Sequence, residues 1–314
     1  MIVLTKINGK FKRLKVEDRQ QQSSMKREYE YFIYNYSLNP MTILYRYMPL
    51  EAFIDMLHTG KNTLTSAILQ EDKFEGGIFA KRYSMDKDCA ETLRSNGEKD
   101  IIKVNDNDYY WVINLESWKN VYMQCWTRKE NCEGMWKSYS HDGKTRTVKI
   151  KCKALDLIYS LRASAGENNI SRCYIEEVKY MPRKKYLQTM KEINQRGLKA
   201  ISSDPSERLG KEMAIKRDDY EYEREVRLLY LHYLDDGKIP LPETVKLDEG
   251  KTFKYNIINK GTGENLLPIT EVLLDPWTKE YYMDTIKDML NKYGISPKIV
   301  KRSTYLDDAL VVNF

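Results

Sequence analysis

Strand-like and helix-like stretches succeed one another along this chain without regular alternation, and that irregularity constrains its fold more than any other feature. The segments "TILYRYM", "NTLTSA", "YYWVINL", "VYMQCWT", "TRTVKIKC", "CYIEEVKYM", "VRLLYLHYL", "ITEVLLDP" and "PKIVKRST" read as strands. Helices are predicted for "PLEAFIDMLHTG", residues 79–99, "ALDLIYSLRAS", "KYLQTMKEINQRG", "PSERLGKEMAIK" and "TKEYYMDTIKDMLNKYG". "EDKFEGG" reads as a loop and "CEGMWKSYS" as a short helix or turn. In the first helix Pro49 sits in the opening turn and Gly60 stops the run. A parallel doubly wound sheet needs strands and helices in strict succession, so this order predicts an α+β fold. Residues 1–40, with "RQQQSS" and then "YEYFIYNYSLNP", read as a basic, aromatic N-terminal extension that packs on the main domain or on a partner. Residues 41–314 read as one domain of catalytic size.

Composition removes several classes of protein. No apolar run approaches the roughly 18 residues of a membrane span, and the charged start "MIVLTKINGKFKRLKV" does not read as a signal peptide. Five cysteines, an odd number without a C-x-x-C pair, argue against a disulfide framework or zinc knuckle and for a reducing cytoplasm. The three histidines lie far apart, so no metal site is expected. The net charge of +6 is clustered. Lys137, Lys144, Arg146, Lys149, Lys151 and Lys153 face only Asp142 in their segment, and Arg183, Lys184 and Lys185 follow. Such clusters either track a phosphate backbone or form a solvated lysine-rich face.

The stretch "DDYEYEREVRLLYLHY" sets Glu221, Glu223 and Glu225 at every second position before an apolar run. As a strand it would place all three with Arg227 on one face. Arg227 can then hold Glu225 ionised through charge-assisted hydrogen bonds. Glu223 and Glu225, about 7 Å apart, would address one substrate from two points. The plainer reading is a polar strand entry with a local Glu–Arg pair. Arg46 lies mid-strand among apolar residues, where a guanidinium needs a phosphate or a carboxylate. Thr127 follows Trp126 on another strand, and Trp136 and Tyr139 are three apart on a helix face.

In that order these elements resemble the ADP-ribosyltransferase superfamily of the arginine–serine–glutamate type. "LYR" at residues 44–46 is similar to the family's first strand, whose arginine grips NAD. "EREVRLL" at 223–229 is similar to its E-x-E strand, with Cys125-Trp126-Thr127 where a serine–threonine–serine strand is usual and Arg227 interrupting the apolar run. The chain also looks like a broad bacterial family of uncharacterised proteins, through "LYRY", "KFE", "GMWKSY" and "YEYEREVR".

The resemblance implies a split mixed or antiparallel sheet flanked by helices, with NAD as substrate and no metal. It implies that Arg46 binds the diphosphate or ribose, with Tyr47, Trp126, Thr127, Trp136 and Tyr139 completing the NAD site. Trp126 or Tyr139 would stack on nicotinamide, and Thr127 would support Arg46 or the catalytic glutamate. Glu225 would take the 2′-hydroxyl and stabilise an oxocarbenium ion, and Glu223 would serve the acceptor. It further implies a cytoplasmic toxin or antiphage defence effector that modifies RNA, DNA or protein and is restrained by an antitoxin or regulatory protein. Lys137, Lys144, Arg146, Lys149, Lys151, Arg183, Lys184 and Lys185 are then candidates for a nucleic-acid surface.

Two alternatives belong to other classes. Glu177-x-Lys179 in "IEEVKY" matches half of a metal-dependent nuclease motif, with Asp142 or Asp156 as a further ligand. A non-catalytic binding module would use the glutamates and arginines structurally.

Overall fold

The computed structural model describes residues 2–7, 10–15, 30–34, 38–69, 82–85, 87–95, 101–103, 109–112, 121–140, 146–166, 172–195, 210, 213–232, 245–248, 251–257 and 267–304. The predicted loop at 71–77 and Lys144 lie outside them. In chain order the strands are β1 (Ile2–Ile7), β2 (Lys10–Lys15), β3 (Glu30–Tyr34), β4 (Ile43–Pro49), β5 (Lys61–Ser66) and β6 (Arg82–Met85). There follow β7 (Ile101–Lys103), β8 (Tyr109–Val112), β9 (Val121–Thr127), β10 (Thr147–Lys153), β11 (Cys173–Glu177) and β12 (Lys179–Met181). The last are β13 (Ile215–Arg217), β14 (Glu225–Leu231), β15 (Val245–Asp248), β16 (Thr252–Asn256), β17 (Glu271–Leu274) and β18 (Val300–Arg302). Among the described residues six α-helices accompany them: α1 (Leu50–Thr59), α2 (Lys87–Ser95), α3 (Glu133–Ser140), α4 (Ala154–Ala165), α5 (Arg183–Gln195) and α6 (Glu280–Lys292).

The architecture is α+β, a mixed sheet flanked by helices. Among the described residues ten strands form the main sheet, in the order β15-β16-β5-β9-β4-β10-β17-β18, with β14 between β9 and β11. Its pairs are antiparallel except β17–β18. Within the first forty residues β2, β1 and β3 form their own antiparallel sheet, and β6, β8 and β7 form another.

One strand organises the main sheet. β14 pairs with β9 along its whole length, from Glu225↔Thr127 to Leu231↔Val121, and so takes one edge of it. On the other edge β5 pairs only at Met123 and Tyr122, and β4 only at Thr127. Two strands therefore share one edge and diverge, leaving the sheet split between β4 and β5 opposite Gln124–Trp126. The core lies on the face that carries Leu44, Trp126, Ile150, Val226 and Leu228, where α1, α4 and α6 contribute Phe53, Leu157, Ile158 and Leu290. α3 packs on β4 and β10 through Trp136, whose ring meets Tyr47 edge-on at 4.8 Å.

The structure departs from the sequence-based expectations at four elements. Residues 82–85 are a strand rather than part of a helix. "CYIEEVKYM" is two strands of different sheets, broken at Val178. The end of "PSERLGKEMAIK" is β13, which pairs in parallel with β12. Most consequential, the glutamate ladder is not a strand. Asp218–Glu223 forms a 3-10 turn, and Arg224 takes the left-handed conformation (φ 45°, ψ 50°) before β14 begins at Glu225. A non-glycine residue there is uncommon and marks an abrupt change of direction.

Candidate functional site

The left-handed turn at Arg224 separates the glutamates that alternation would have aligned. Glu221 is exposed on the 3-10 turn, Glu223 ends that turn, and Glu225 opens the buried strand with only 3% of its surface exposed. Glu223 and Glu225 nevertheless meet through a third residue. Lys216 of β13 donates from Nζ to Glu223 Oε2 at 2.7 Å and to Glu225 Oε2 at 3.1 Å. Its ammonium also lies 4.5 Å from the centre of the Tyr220 ring. A buried cation between two carboxylates removes the repulsion that the ladder would otherwise carry.

Arg227 completes the buried cluster. Two residues along β14 it shares a face with Glu225, and its Nε and Nη2 reach Glu225 Oε1 and Oε2 at 2.8 and 3.1 Å. Nη1 donates to the Met213 carbonyl at 2.6 Å, and the Tyr180 hydroxyl accepts the Glu225 backbone N–H at 2.8 Å. Burial pushes the Glu225 carboxyl up, but Arg227, Lys216 and the Cys125 thiol outweigh it and bring the pKa from 4.5 to about 2. This sequence-adjacent pair is the arrangement expected for Arg227.

The sign of the resulting pH dependence is fixed. Because the folded pKa lies below the unfolded one, the cluster's contribution is complete above about pH 4.5 and is lost as pH falls toward 2. Urea unfolding at stepwise acid pH should show stability declining through that window. Glu225→Gln should remove this part of the slope, and an unaltered slope in that variant would refute the assignment.

Thr127 is buried opposite Glu225, and its hydroxyl donates to the Glu223 carbonyl while accepting the Lys129 backbone N–H at 2.9 Å. It thus ties the end of the 3-10 turn to β9. Against the same turn lies α3, where the Tyr222 ring sits near Gly134.

Arg46 is half-buried on β4. Strand alternation sends it to the opposite face from Glu225, because Arg46 pairs with the core residue Ile150 while its neighbour Tyr45 is in register with Thr127. The split in the sheet gives it room. Nη1 donates to Asn62 Oδ1 of β5 at 3.2 Å, and among the described residues no carboxylate lies within ion-pair distance. Burial lowers its pKa, opposed by Tyr139, Tyr255 and Cys125. Burial raises the pKa of Tyr139, and the charges of Arg46, Glu225 and Glu223 all reach it.

The remaining candidates are distributed unevenly. Trp126 is a core residue whose indole N–H donates to Gln124, so it offers no face for a stacking base. Trp136 is fully buried beneath Tyr47, itself buried and stacked on Tyr139 at 6.1 Å. Among the described residues the basic segment is unevenly exposed. Lys149 is 2% exposed, donates to the Glu130 carbonyl and has its pKa pushed down by burial to about 8. Arg146 lies 3.5 Å from Asp275, Lys137 is bridged to Glu133 at 2.7 Å, and Lys151 lies near Tyr45. Arg183, Lys184 and Lys185 are exposed together at the start of α5. Glu177 pairs with Arg128, while Lys179 sits on the next strand, so the E-x-K elements are not presented together.

Residues 135–228 match the family described as a protein of unknown function, DUF2971. The matched segment runs from α3 to the middle of β14. It contains Trp136, Tyr139, Lys216, Glu223, Glu225 and Arg227, and leaves Arg46 and Thr127 outside. The W-x-x-Y and E-x-E-x-R patterns thus fall within it, and the match carries no activity with it. No curated protein and no solved structure matches the chain.

Sequence reasoning missed Lys216, Tyr180 and Cys125. Lys216 and Tyr180 belong to three-residue strands with no motif of their own, which only pairing between distant strands reveals, while Cys125 stood out in β9 only as a departure from the usual serine strand and not as a neighbour of Glu225. Among the described residues no group of three or more histidine, cysteine or acidic side chains converges as a metal site would require.

Proposed function

We propose that the chain cleaves the nicotinamide–ribose bond of NAD and transfers ADP-ribose. One observation supports this reading above the others. Tyr45, Thr127 and Glu225 lie in register on the neighbouring strands β4, β9 and β14. The three elements that resemble the arginine, serine/threonine and glutamate strands of ADP-ribosyltransferases are therefore side by side, at the split of the sheet.

The chemistry assigns roles somewhat differently from the sequence pattern. Arg46, a half-buried cation without a carboxylate among the described residues, meets the diphosphate. Tyr139 rather than Trp126 provides the stacking ring. The oxygens of Glu225 already bond Arg227 and Lys216, so Glu225 is the buried anion that holds the cluster. Glu223, with 21% of its side chain exposed and its main chain held by Thr127, presents its carboxylate to the ribose. As the glycosidic bond breaks, its electron pair leaves with nicotinamide and positive charge develops on the ribosyl carbon. A fixed carboxylate stabilises that charge. The acceptor is a nucleic acid or protein, with Arg183, Lys184 and Lys185 as the exposed cations for phosphates, consistent with a toxin or defence effector held by a partner.

The test is incubation with labelled NAD and a cell lysate without added metal. Release of nicotinamide with label entering RNA, DNA or protein supports the reading, and the labelled fraction names the acceptor class. Neither release nor transfer overturns it in favour of a binding module.

A further inference from the structure

The split between β4 and β5 is filled by a polar network whose polarity is set from one end. An indole N–H can only donate. Trp126 Nε1 donates to Gln124 Oε1 at 2.7 Å, so the Gln124 amide nitrogen must point the other way. There it donates to the Thr63 carbonyl at 2.7 Å and to Asn62 Oδ1 at 2.8 Å. Asn62 Oδ1 also accepts the Thr63 backbone N–H at 3.0 Å and Arg46 Nη1 at 3.2 Å. Its amide nitrogen turns to the Tyr255 hydroxyl at 2.9 Å. Reversing Asn62 would set its NH₂ against three donors at once, so only one orientation is compatible with these neighbours. Asn62 and Gln124 are 1% and 3% exposed, and a buried network of this kind is well satisfied or costly.

We infer that Asn62 is a positioning residue for Arg46: its carboxamide oxygen, oriented through Gln124 by Trp126, holds the guanidinium in the split with its other donors available to an anion. This rests on the reading of Arg46 as the group that meets the phosphates of NAD. It also gives Trp126 a reason to be where it is, as the fixed donor that orients the network.

Asn62→Asp tests the inference by keeping shape while placing a carboxylate beside Nη1, a resident competitor for any anionic ligand. Calorimetry with inorganic pyrophosphate, and KM and kcat for NAD, should be compared among the parent, Arg46→Ala and Asn62→Asp. Affinity for pyrophosphate should fall at least about ten-fold in Asn62→Asp. The loss for NAD should appear in KM more than in kcat, a split that general loosening of the fold would not produce. Gln124→Met, which removes the orienting amide but leaves Asn62 and Arg46 in place, should weaken binding in the same direction and serves if Asn62→Asp does not fold. If Arg46→Ala loses binding while both folded variants bind as the parent does, the positioning role is wrong and Arg46 keeps its own. If the parent binds neither probe, or Arg46→Ala binds like the parent, the inference falls with the reading of Arg46. Weakened pyrophosphate binding in a protein that never cleaves NAD would uphold the inference and refute the reaction.

Discussion

Glu225→Gln is expected to destabilise the protein by about 3–5 kcal/mol, the range for breaking a buried ion pair from one side. The neutral amide has nearly the same shape, so packing does not set the size of the effect. Charge does. Arg227 and Lys216 are both buried, and Glu225 is the anion they share; without it Lys216 keeps Glu223, and Arg227 has Glu176 in register across from it on β11. Arg227→Met, which removes one cation but leaves Lys216 to pair the glutamate, should cost less than Glu225→Gln. Urea midpoints for the two variants and the parent decide the matter. A loss below about 1 kcal/mol for Glu225→Gln, as for an exposed salt bridge, would mean that the cluster is not the buried keystone drawn from its geometry.

That prediction reverses what the ladder alone suggests, and the reason shows how far the sequence could be read. Strand and helix positions were largely legible, because apolar periodicity decides them: β9, β10, β14, β17, α1, α4 and α6 all fall where the pattern predicts. The local Glu225–Arg227 pair was legible too, since both lie on one strand two residues apart. The ladder itself misled. Alternating glutamates satisfy a period of two, yet that period says nothing about hydrogen bonding. Here the backbone closes a 3-10 turn whose end is tied to β9 by the Thr127 hydroxyl. A charge cluster likewise says nothing about which of its members is buried. Lys149 and Lys151 lie on one strand, but Lys149 is drawn under the 128–132 loop by the Glu130 carbonyl. Lys216 was beyond reach, because its value comes from a parallel pairing of β12 with β13 that no local pattern announces. The split was equally hidden: it arises because β4 and β5 compete for one edge of β9, a property of the whole sheet.

Glu223→Gln is expected to behave in the opposite sense, sparing the fold and removing the reaction. Its carboxylate is partly exposed and its position is held by main-chain contacts that the substitution leaves alone, so stability should change by no more than about 1 kcal/mol. If Glu223 faces the ribosyl carbon as the nicotinamide bond breaks, removing its charge takes away a preorganised electrostatic contact. Losses of that kind run to about 10²–10³ in rate. Lys216 bears on the size of the effect, since its ammonium at 2.7 Å holds and aims the Glu223 carboxylate while neutralising part of its charge. Glu221→Gln, on the exposed side of the turn, provides the comparison and should turn over NAD at the parental rate. Nicotinamide release by the three proteins, measured under saturating NAD, separates the readings. Loss in Glu223→Gln but not in Glu221→Gln supports the carboxylate at the end of the turn as the group that meets the developing charge. Equal turnover in both, in a parent that is active, would move the chemistry away from the turn and leave Glu223 as a surface partner of Lys216.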